Sequence, residues 1–437
     1  MTVAHVHIEK LAFGGNGVGR IAGKVCFVPL SCPGDELLVK VTSEKRSYLN
    51  AGIVEIITPS PHRVVPPCPL FGSCGGCNWQ HIAYPLQVDA KRQILAESLW
   101  RGARVPDEKV AEIVRAPEQF GYRSRVQFKL YAGESKLQIG FYRQGSHFVE
   151  DATQGCPIVM PIINDALLCL RDVLSAFPEP AAIPQINIDC GEQGCVAIIN
   201  YNGRDPDKAA AFFEKYHCSL GPLTGVFLQA GQKTLPRRVS GSGTLAYSMP
   251  GAGIDASTCS LTFRPGGFSQ VNSAQNRSML NIVRQFASFG GHEKVLDIYC
   301  GNGNFSLPLA GEVAGITGIE EYGDSISSAI DNCRLNGIDS AEYIVSDAAR
   351  GVRRLAESDL QYDVVILDPP RSGAADTVGA ISLLNPEKII YISCDPSTLA
   401  RDCGIMSAGG YSVIQSIPVD MFPQTYHLES ITLLQRV

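Results

Sequence analysis

The stretch after Phe286 constrains the fold more than any other part of the chain. Short apolar segments alternate there with helical ones: Lys294–Ile298, Gly315–Ile319, Glu342–Val345, Asp363–Leu367, Lys388–Ser393 and Tyr411–Gln415. Strands apolar on both faces, each followed by a helix, predict a doubly wound parallel sheet with helices on either side. In such α/β sheets ligands bind beyond the carboxyl ends of the strands.

At about 150 residues per domain, 437 residues suggest roughly three units. The first reads as short strands, Val6–Glu9, Val25–Val28, Leu37–Val41 and Ile53–Ile57, separated by turn formers such as Gly14-Gly15-Asn16-Gly17 and Cys32-Pro33-Gly34-Asp35. That pattern predicts a small closed barrel of the oligonucleotide-binding kind, and other small β-barrels share it. Pro59-Ser60-Pro61 and Pro66-Pro67 punctuate its end, a cysteine-rich loop follows from Cys68 to Cys77, and a helix is expected around Leu86–Leu99. From about residue 120 to 265 the pattern is mixed, with strands such as Arg125–Leu130 and Val196–Asn200. The expected organisation is a barrel over 1–60, a central α+β domain over 61–270 and a Rossmann-like domain over 271–437.

With 45% hydrophobic and 18% charged residues, the chain is neither disordered nor a charged tail protein. No apolar run approaches the ~18 residues that span a bilayer, and Met1–His7 has no secretory pattern, so a soluble, cytoplasmic protein without a membrane partner is expected. A monomer is the simplest expectation. Net charge is −6 but uneven: residues 293–437 carry 20 acidic and 9 basic side chains, leaving the preceding part at +5. A polyanionic partner would be held mainly by the first two-thirds, unless the contrast is ordinary variation between domains. Fifteen cysteines, an odd count in a long chain, do not read as a disulfide framework. Cys169, Cys218, Cys259 and Cys333 read as small buried hydrophobes.

Val295-Leu296-Asp297-Ile298-Tyr299-Cys300-Gly301-Asn302-Gly303-Asn304-Phe305 reads as strand, glycine turn and helix start. Gly301 and Gly303 let backbone approach a ligand, with helix amides facing it. Glu320 ends the next strand, placed for ribose hydroxyls. Ser306 leaves NAD open, as is a turn serving only the fold, but Asp297 and Glu320 together favour S-adenosylmethionine. Asp368-Pro369-Pro370-Arg371 places arginine where amino-group methyltransferases carry a stacking aromatic, which counts against an exocyclic-amine substrate. Cys394 lies past a buried strand, before a helix starting near Ser397-Thr398, where a positive potential eases thiol ionisation. It is the best nucleophile candidate, against the plainer reading of a buried structural thiol. Glu429, among apolar neighbours, suits a general base of raised pKa or a salt-bridged surface glutamate; His427 suits a base or a packed core histidine.

Together, Ser393–Asp402 and Phe422–Glu429 resemble the RNA uracil-C5 methyltransferases, and Leu296–Phe305, Asp368–Arg371 and Phe268–Asn272 match that family in the same order. The N-terminal part looks like its TRAM domain, a small RNA-binding barrel. Cys68, Cys74, Cys77 and Cys156 match the C-x5-C-x2-C…C-P set that holds an iron–sulfur cluster in the branch acting on large-subunit ribosomal RNA. The resemblance implies that Cys394 adds to carbon 6 of uracil and Glu429 removes the proton from carbon 5. It implies S-adenosylmethionine contacts at Gln270, Tyr299, Asn304, Glu320, Asp347 and Asp368. Tyr299 replaces a usual phenylalanine, and Asp347 a common asparagine.

The three loop cysteines are spaced to converge on one centre, with Cys156-Pro157 supplying the fourth ligand. Zinc is the rival, but the x5 spacing is longer than zinc sites use, and the family match favours a 4Fe–4S cluster. The radical-enzyme spacing C-x3-C-x2-C is absent, so a structural or RNA-positioning cluster is expected. Residues 119–147 place Arg123, Arg125, Lys129, Lys136 and Arg143 against one acid, Glu134, interleaved with Phe120, Tyr122, Phe128, Tyr131, Phe141 and Tyr142. That mixture suits looped or single-stranded RNA, with about half the rings expected to be a sheet face, and a target uracil would flip out of its stack. The expected function is formation of 5-methyluridine in 23S ribosomal RNA. The alternatives are the T-loop uridine of transfer RNA and, in a different class, a non-catalytic RNA-binding or assembly factor.

Overall fold

The structure, a computed structural model, describes residues 3–133, 136–231, 235–251, 258–358 and 360–437. Glu134, the lone acid of the basic stretch, lies outside them. Strict alternation builds the N-terminal unit: in β1 (Val3–Leu11) Val6, Ile8 and Leu11 are buried and their neighbours are not. With β2 (Gly17–Ile21), β3 (Lys24–Val28), β4 (Glu36–Glu44) and β5 (Tyr48–Thr58) it closes a barrel in the order β1-β2-β3-β5-β4. The sequence hides β2 because its glycines read as turn. A Cβ at Gly19 would lie 2.2 Å from the His7 carbonyl oxygen, so glycine is what lets the first two strands approach. Wholly buried Asp35 accepts from Arg63 Nε at 2.8 Å and Nη2 at 2.7 Å, tying the barrel to the chain beyond it.

Next comes α1 (Tyr84–Ala103), which belongs to neither barrel nor central sheet. It packs on the C-terminal domain, as described below. The central sheet is built from β6 (Arg125–Ala132), β7 (Leu137–Tyr142), β8 (Val149–Asp151), β9 (Gln185–Gly191), β10 (Gly194–Tyr201), β11 (Leu223–Ala230) and β12 (Arg237–Gly241). Their order is β12-β11-β10-β9-β6-β7-β8, and all neighbours are antiparallel except β10 and β11. Helices α2 (Pro161–Ser175) and α3 (Pro206–Lys215) share its core through Leu167, Leu170 and Phe213. Two features depart from the cysteine expectations. Cys190 and Cys195 face each other across the β9–β10 hairpin and form a disulfide, a pairing that their separation along the chain does not announce. Cys218 is exposed because it lies in a single surface turn, His217–Ser219, and Cys169 is only half-buried.

The hairpin β13 (Leu245–Pro250) and β14 (Thr258–Phe263) and helix α4 (Ser273–Ala287) lead into the last sheet. It contains β15 (Lys294–Ile298), β16 (Gly315–Glu320), β17 (Ala341–Val345), β18 (Val364–Leu367), β19 (Lys388–Ser393), β20 (Tyr411–Val419) and β21 (Glu429–Arg436). Helices α5 (Gly323–Asn336), α6 (Ala348–Ala356), α7 (Ala375–Leu384) and α8 (Pro396–Ala408) alternate with these strands. The order is β17-β16-β15-β18-β19-β21-β20, parallel as far as β19 and antiparallel thereafter. The expected all-parallel sheet therefore fails at one edge. No helix separates β20 from β21, so the chain has no crossover and must return antiparallel. The helix expected after β15 is instead a 3-10 turn, Leu307–Glu312, because Pro308 has no amide to donate. Helix α1 lies on α8, burying Leu95 and Leu99 with Leu399 and Ala400 in the same core as the sheet. Among the described residues no helix is long and apolar enough to cross a membrane.

Candidate active site

Beyond β15 the chain turns through Tyr299, whose φ of 65° is unusual for a ring-bearing residue, and through Gly301 and Gly303 at φ 55° and 85°. A Cβ on Gly303 would lie 2.5 Å from Leu307 Cδ1. In place of helix amides awaiting a ligand, the Gly301 amide donates to Glu320 Oε2 at 3.3 Å, and Tyr322 N donates to Oε1 at 3.0 Å. The carboxylate that ends β16 is thus fixed against the glycine turn. Asp347 caps α6 by accepting from Arg350 N at 3.0 Å. Buried Asp297 has one oxygen, Oδ2, without a partner; burial and then Glu320 push its pKa up to about 7, against hydrogen bonds from Ser306 that lower it.

Seven of the eight side chains expected from the sequence line one cavity of about 600 Å³: Gln270, Tyr299, Glu320, Asp347, Asp368, Cys394 and Glu429. Asn304 does not. Its Oδ1 accepts from Asn276 Nδ2 at 2.8 Å and Tyr247 OH at 2.9 Å, so it pins the glycine turn to α4 and β13 from behind. Tyr322, 70% exposed on the rim, had no signal in the sequence beyond following two glutamates.

Register explains how two residues 35 positions apart meet (394 to 429). Strands β19 and β21 pair antiparallel down to Ser393 opposite Ser430. One step further along the same register sets Cys394 opposite Glu429, at the carboxyl edge where the glycine turn also lies. The thiol does not behave as its helix suggests. The α8 N-terminus is already capped by Asp395, whose Oδ1 accepts from Ser397 N at 2.8 Å and Thr398 N at 3.1 Å. Burial, followed by the Glu429 and Asp368 carboxyls, pushes the Cys394 pKa up to about 12, with Arg371 opposing. Burial and then Asp368 hold the Glu429 pKa well above its usual range, so it is no surface ion pair. Asp368 itself rises to about 7. The His427 ring, 4.2 Å from that of Tyr426, is lowered to about 4 by burial and by Arg371, so it is a neutral imidazole near pH 7.

A second cavity, of about 450 Å³, is lined by Cys68, Cys74, Cys77 and Cys156 and shares a wall with the first through Val271, Arg371, Phe422 and His427. All four thiols are free. Burial raises Cys77 to about 12 and Cys156 to about 11, and charge on the neighbouring sulfurs adds to both shifts. Among the described residues there is no group of three or more His, Cys, Asp or Glu side chains that could hold a metal ion.

On the β6–β7 face, Tyr122 and Phe128 are buried and Phe120 and Phe141 pack against the same core, whereas Tyr131 and Tyr142 are exposed. Arg125 and Arg143 are paired with Asp189 and Glu150, and Lys129 lies 5.4 Å from the Tyr142 ring centre.

A sheet of this order, with a glycine turn and strand-ending acid on one lip of a cavity and a thiol facing a buried carboxyl on the other, defines a Rossmann-like methyltransferase, here joined to a small barrel. Residues 252–437 match the tRNA (Uracil-5-)-methyltransferase family and residues 2–54 match the TRAM domain. The chain belongs to the RNA uracil-C5 methyltransferase family. An uncharacterized RNA methyltransferase of Thermosynechococcus vestitus is 33% identical, covering 98% of this chain and 97% of the relative. The 23S rRNA (uracil(1939)-C(5))-methyltransferase RlmD of Stenotrophomonas maltophilia is also 33% identical, over 100% of this chain and 98% of its own. The fold matches the crystal structure of Pyrococcus abyssi tRNA (uracil-54, C5)-methyltransferase in complex with S-adenosyl-L-homocysteine. Its TM-score is 0.75 at 24% identity, covering 98% of this chain and 99% of that one.

Proposed function

We propose that this protein methylates carbon 5 of a uridine in 23S ribosomal RNA through a covalent cysteine–uracil adduct. The observation that carries the reading is the antiparallel register that sets Cys394 against Glu429 in the cavity holding the glycine turn. Whole-length relatives named for 23S ribosomal RNA favour that substrate. S-adenosylmethionine, when bound, supplies the methyl group; Glu320 would hold its ribose and Asp347 its base, with Gln270, Tyr299 and Asp368, which line the same cavity, holding the rest. Asn304 would act on it only by holding the turn.

Carbon 5 of uracil is a poor nucleophile. The Cys394 thiol loses its proton to solvent, the thiolate bonds to carbon 6, and the electron pair of the 5,6 double bond moves toward carbon 5 and the O4 enolate. Carbon 5 takes the methyl group, releasing S-adenosylhomocysteine; Glu429 in its ionised form, which gains population as pH rises, takes the carbon 5 proton, and the returning pair re-forms the double bond and expels the thiolate. Exposed Tyr131, Tyr142 and Phe268, with Lys136 and the barrel, offer rings and charge to the RNA around the flipped base. In cells lacking the protein, mass mapping should show 5-methyluridine lost from one position of 23S ribosomal RNA. Loss from the transfer RNA T-loop would move the substrate there, as the description of the matched family suggests. Unchanged RNA would overturn the enzyme reading in favour of a binding or assembly factor.

Cys68, Cys74, Cys77 and Cys156 would hold a 4Fe–4S cluster, in a structural or RNA-positioning role. What supports the reading is that four free thiols line one cavity, a donor set that suits a soft cation, and that their spacing along the chain is longer than zinc sites use. Protein purified without oxygen should carry iron and sulfide with visible thiolate–iron absorbance, lost in Cys77→Ala. Stoichiometric zinc without iron would overturn this.

A further inference from the structure

The loop between β20 and β21, residues 420–428, carries Phe422 and His427 into the cavity and delivers the chain to Glu429. Its carbonyls are held from outside its own hairpin. Asp420 O accepts from Gln275 Nε2 at 3.0 Å, Met421 O from Asn272 Nδ2 at 3.2 Å and Pro423 O from Tyr122 OH at 3.1 Å. Gln424 O accepts from the amides of Asn78 and Trp79, its side-chain Oε1 accepts from Gln87 Nε2 at 3.0 Å, and its backbone amide donates to Gln87 Oε1 at 3.0 Å. Gln424 is held at a φ of 69°.

At the centre of this grip is Lys91 of α1. Its ammonium is wholly buried, 2.5 Å from the equally buried Asp420 Oδ1 and 3.0 Å from the Phe422 carbonyl. A buried ion pair is a poor source of stability, since well-packed apolar residues often replace one at no cost. What an apolar pair would lack is direction: a charged donor that fixes the Phe422 carbonyl, and with it the bend of the loop.

We infer that Lys91 is a positioning residue for the methyl-transfer reaction, acting through Asp420 and the Phe422 carbonyl to aim Glu429 at the substrate. This rests on the proposed covalent mechanism. A displaced base slows proton removal but leaves sulfur addition and methyl transfer in place, so the defect has a signature. A misplacement of about 1 Å costs roughly 100-fold in rate.

The test compares the wild type, Lys91→Met and the double variant Lys91→Met/Asp420→Leu as full-length proteins on unmodified ribosomal and transfer RNA. Lys91→Met should lower kcat about 100-fold with KM for S-adenosylmethionine unchanged, and should accumulate methylated protein–RNA adduct. It leaves Asp420 buried and unpaired, so it should also melt lower. The double variant removes that cost and should melt like the wild type, yet still turn over slowly and accumulate adduct. Recovery of both melting temperature and kcat in the double variant would make Lys91 merely structural and overturn the inference. So would a Lys91→Met kcat within twofold of the wild type. If the wild type methylates neither RNA, the proposed function fails and this inference with it.

Discussion

Cys394→Ala is expected to bind RNA and form no covalent adduct, with methylation reduced about 10⁴-fold or more. The change removes one half-buried sulfur and leaves the glycine turn, Glu320 and the RNA-facing rings untouched, so affinity and turnover should separate cleanly. Denaturing gels of protein–RNA mixtures read the adduct, and tritium transfer reads the rate. Because burial and two facing carboxyls keep the sulfur protonated near neutrality, adduct formation by the wild type should accelerate as pH rises. An undiminished rate in Cys394→Ala would remove this residue from the chemistry.

The second large effect is expected from Glu429→Gln, which should trap the methylated adduct because an amide cannot take the carbon 5 proton. It should also be more heat-stable than the wild type at pH 8, and equal to it near pH 4. The sign follows from where the proton resides. In the unfolded chain a glutamate ionises near about pH 4.3, whereas the folded site keeps Glu429 protonated far above that. Folding above pH 4.3 therefore takes up a proton, and the stability that the neutral carboxyl contributes is lost as pH rises. Glutamine is neutral throughout and avoids that loss. Asp297 and Asp368, raised to about 7, impose the same slope on both proteins, so only the difference reports on residue 429. Normal turnover without trapped adduct would show that another group removes the proton.

What the sequence revealed was local, and what it concealed depended on distance. The β15 turn and the β19–α8 junction each lie within ten residues, so the glycine turn at Gly301 and Gly303 and the position of Cys394 before a helix were legible, whereas the capping by Asp395 was not. The antiparallel edge was not, because β20 and β21 have the same apolar texture as the parallel strands and differ only in lacking a crossover helix. The inward turn of Asn304 depends on Asn276 and Tyr247, contributed by two other elements. The thiol's high pKa was missed for a related reason: a helix terminus was visible, but the two carboxyls facing the sulfur come from β18 and β21. Likewise the burial of Lys91 could not be read from its own helix, because its partner Asp420 lies 329 residues away.

The pairing of β19 with β21 makes the base unusually sensitive to chain length. Substituting side chains along Ser430–Arg436 would disturb packing one position at a time, but removing a single codon there would put the two parts of the strand out of step, and a one-residue slip of the part that begins at Glu429 would reverse the facing of its side chains. The carboxylate would then leave the pocket even in a variant whose hydrophobic content was intact. Among descendants of this gene, drift in the composition of the strand should be common and insertions or deletions within it should be purged.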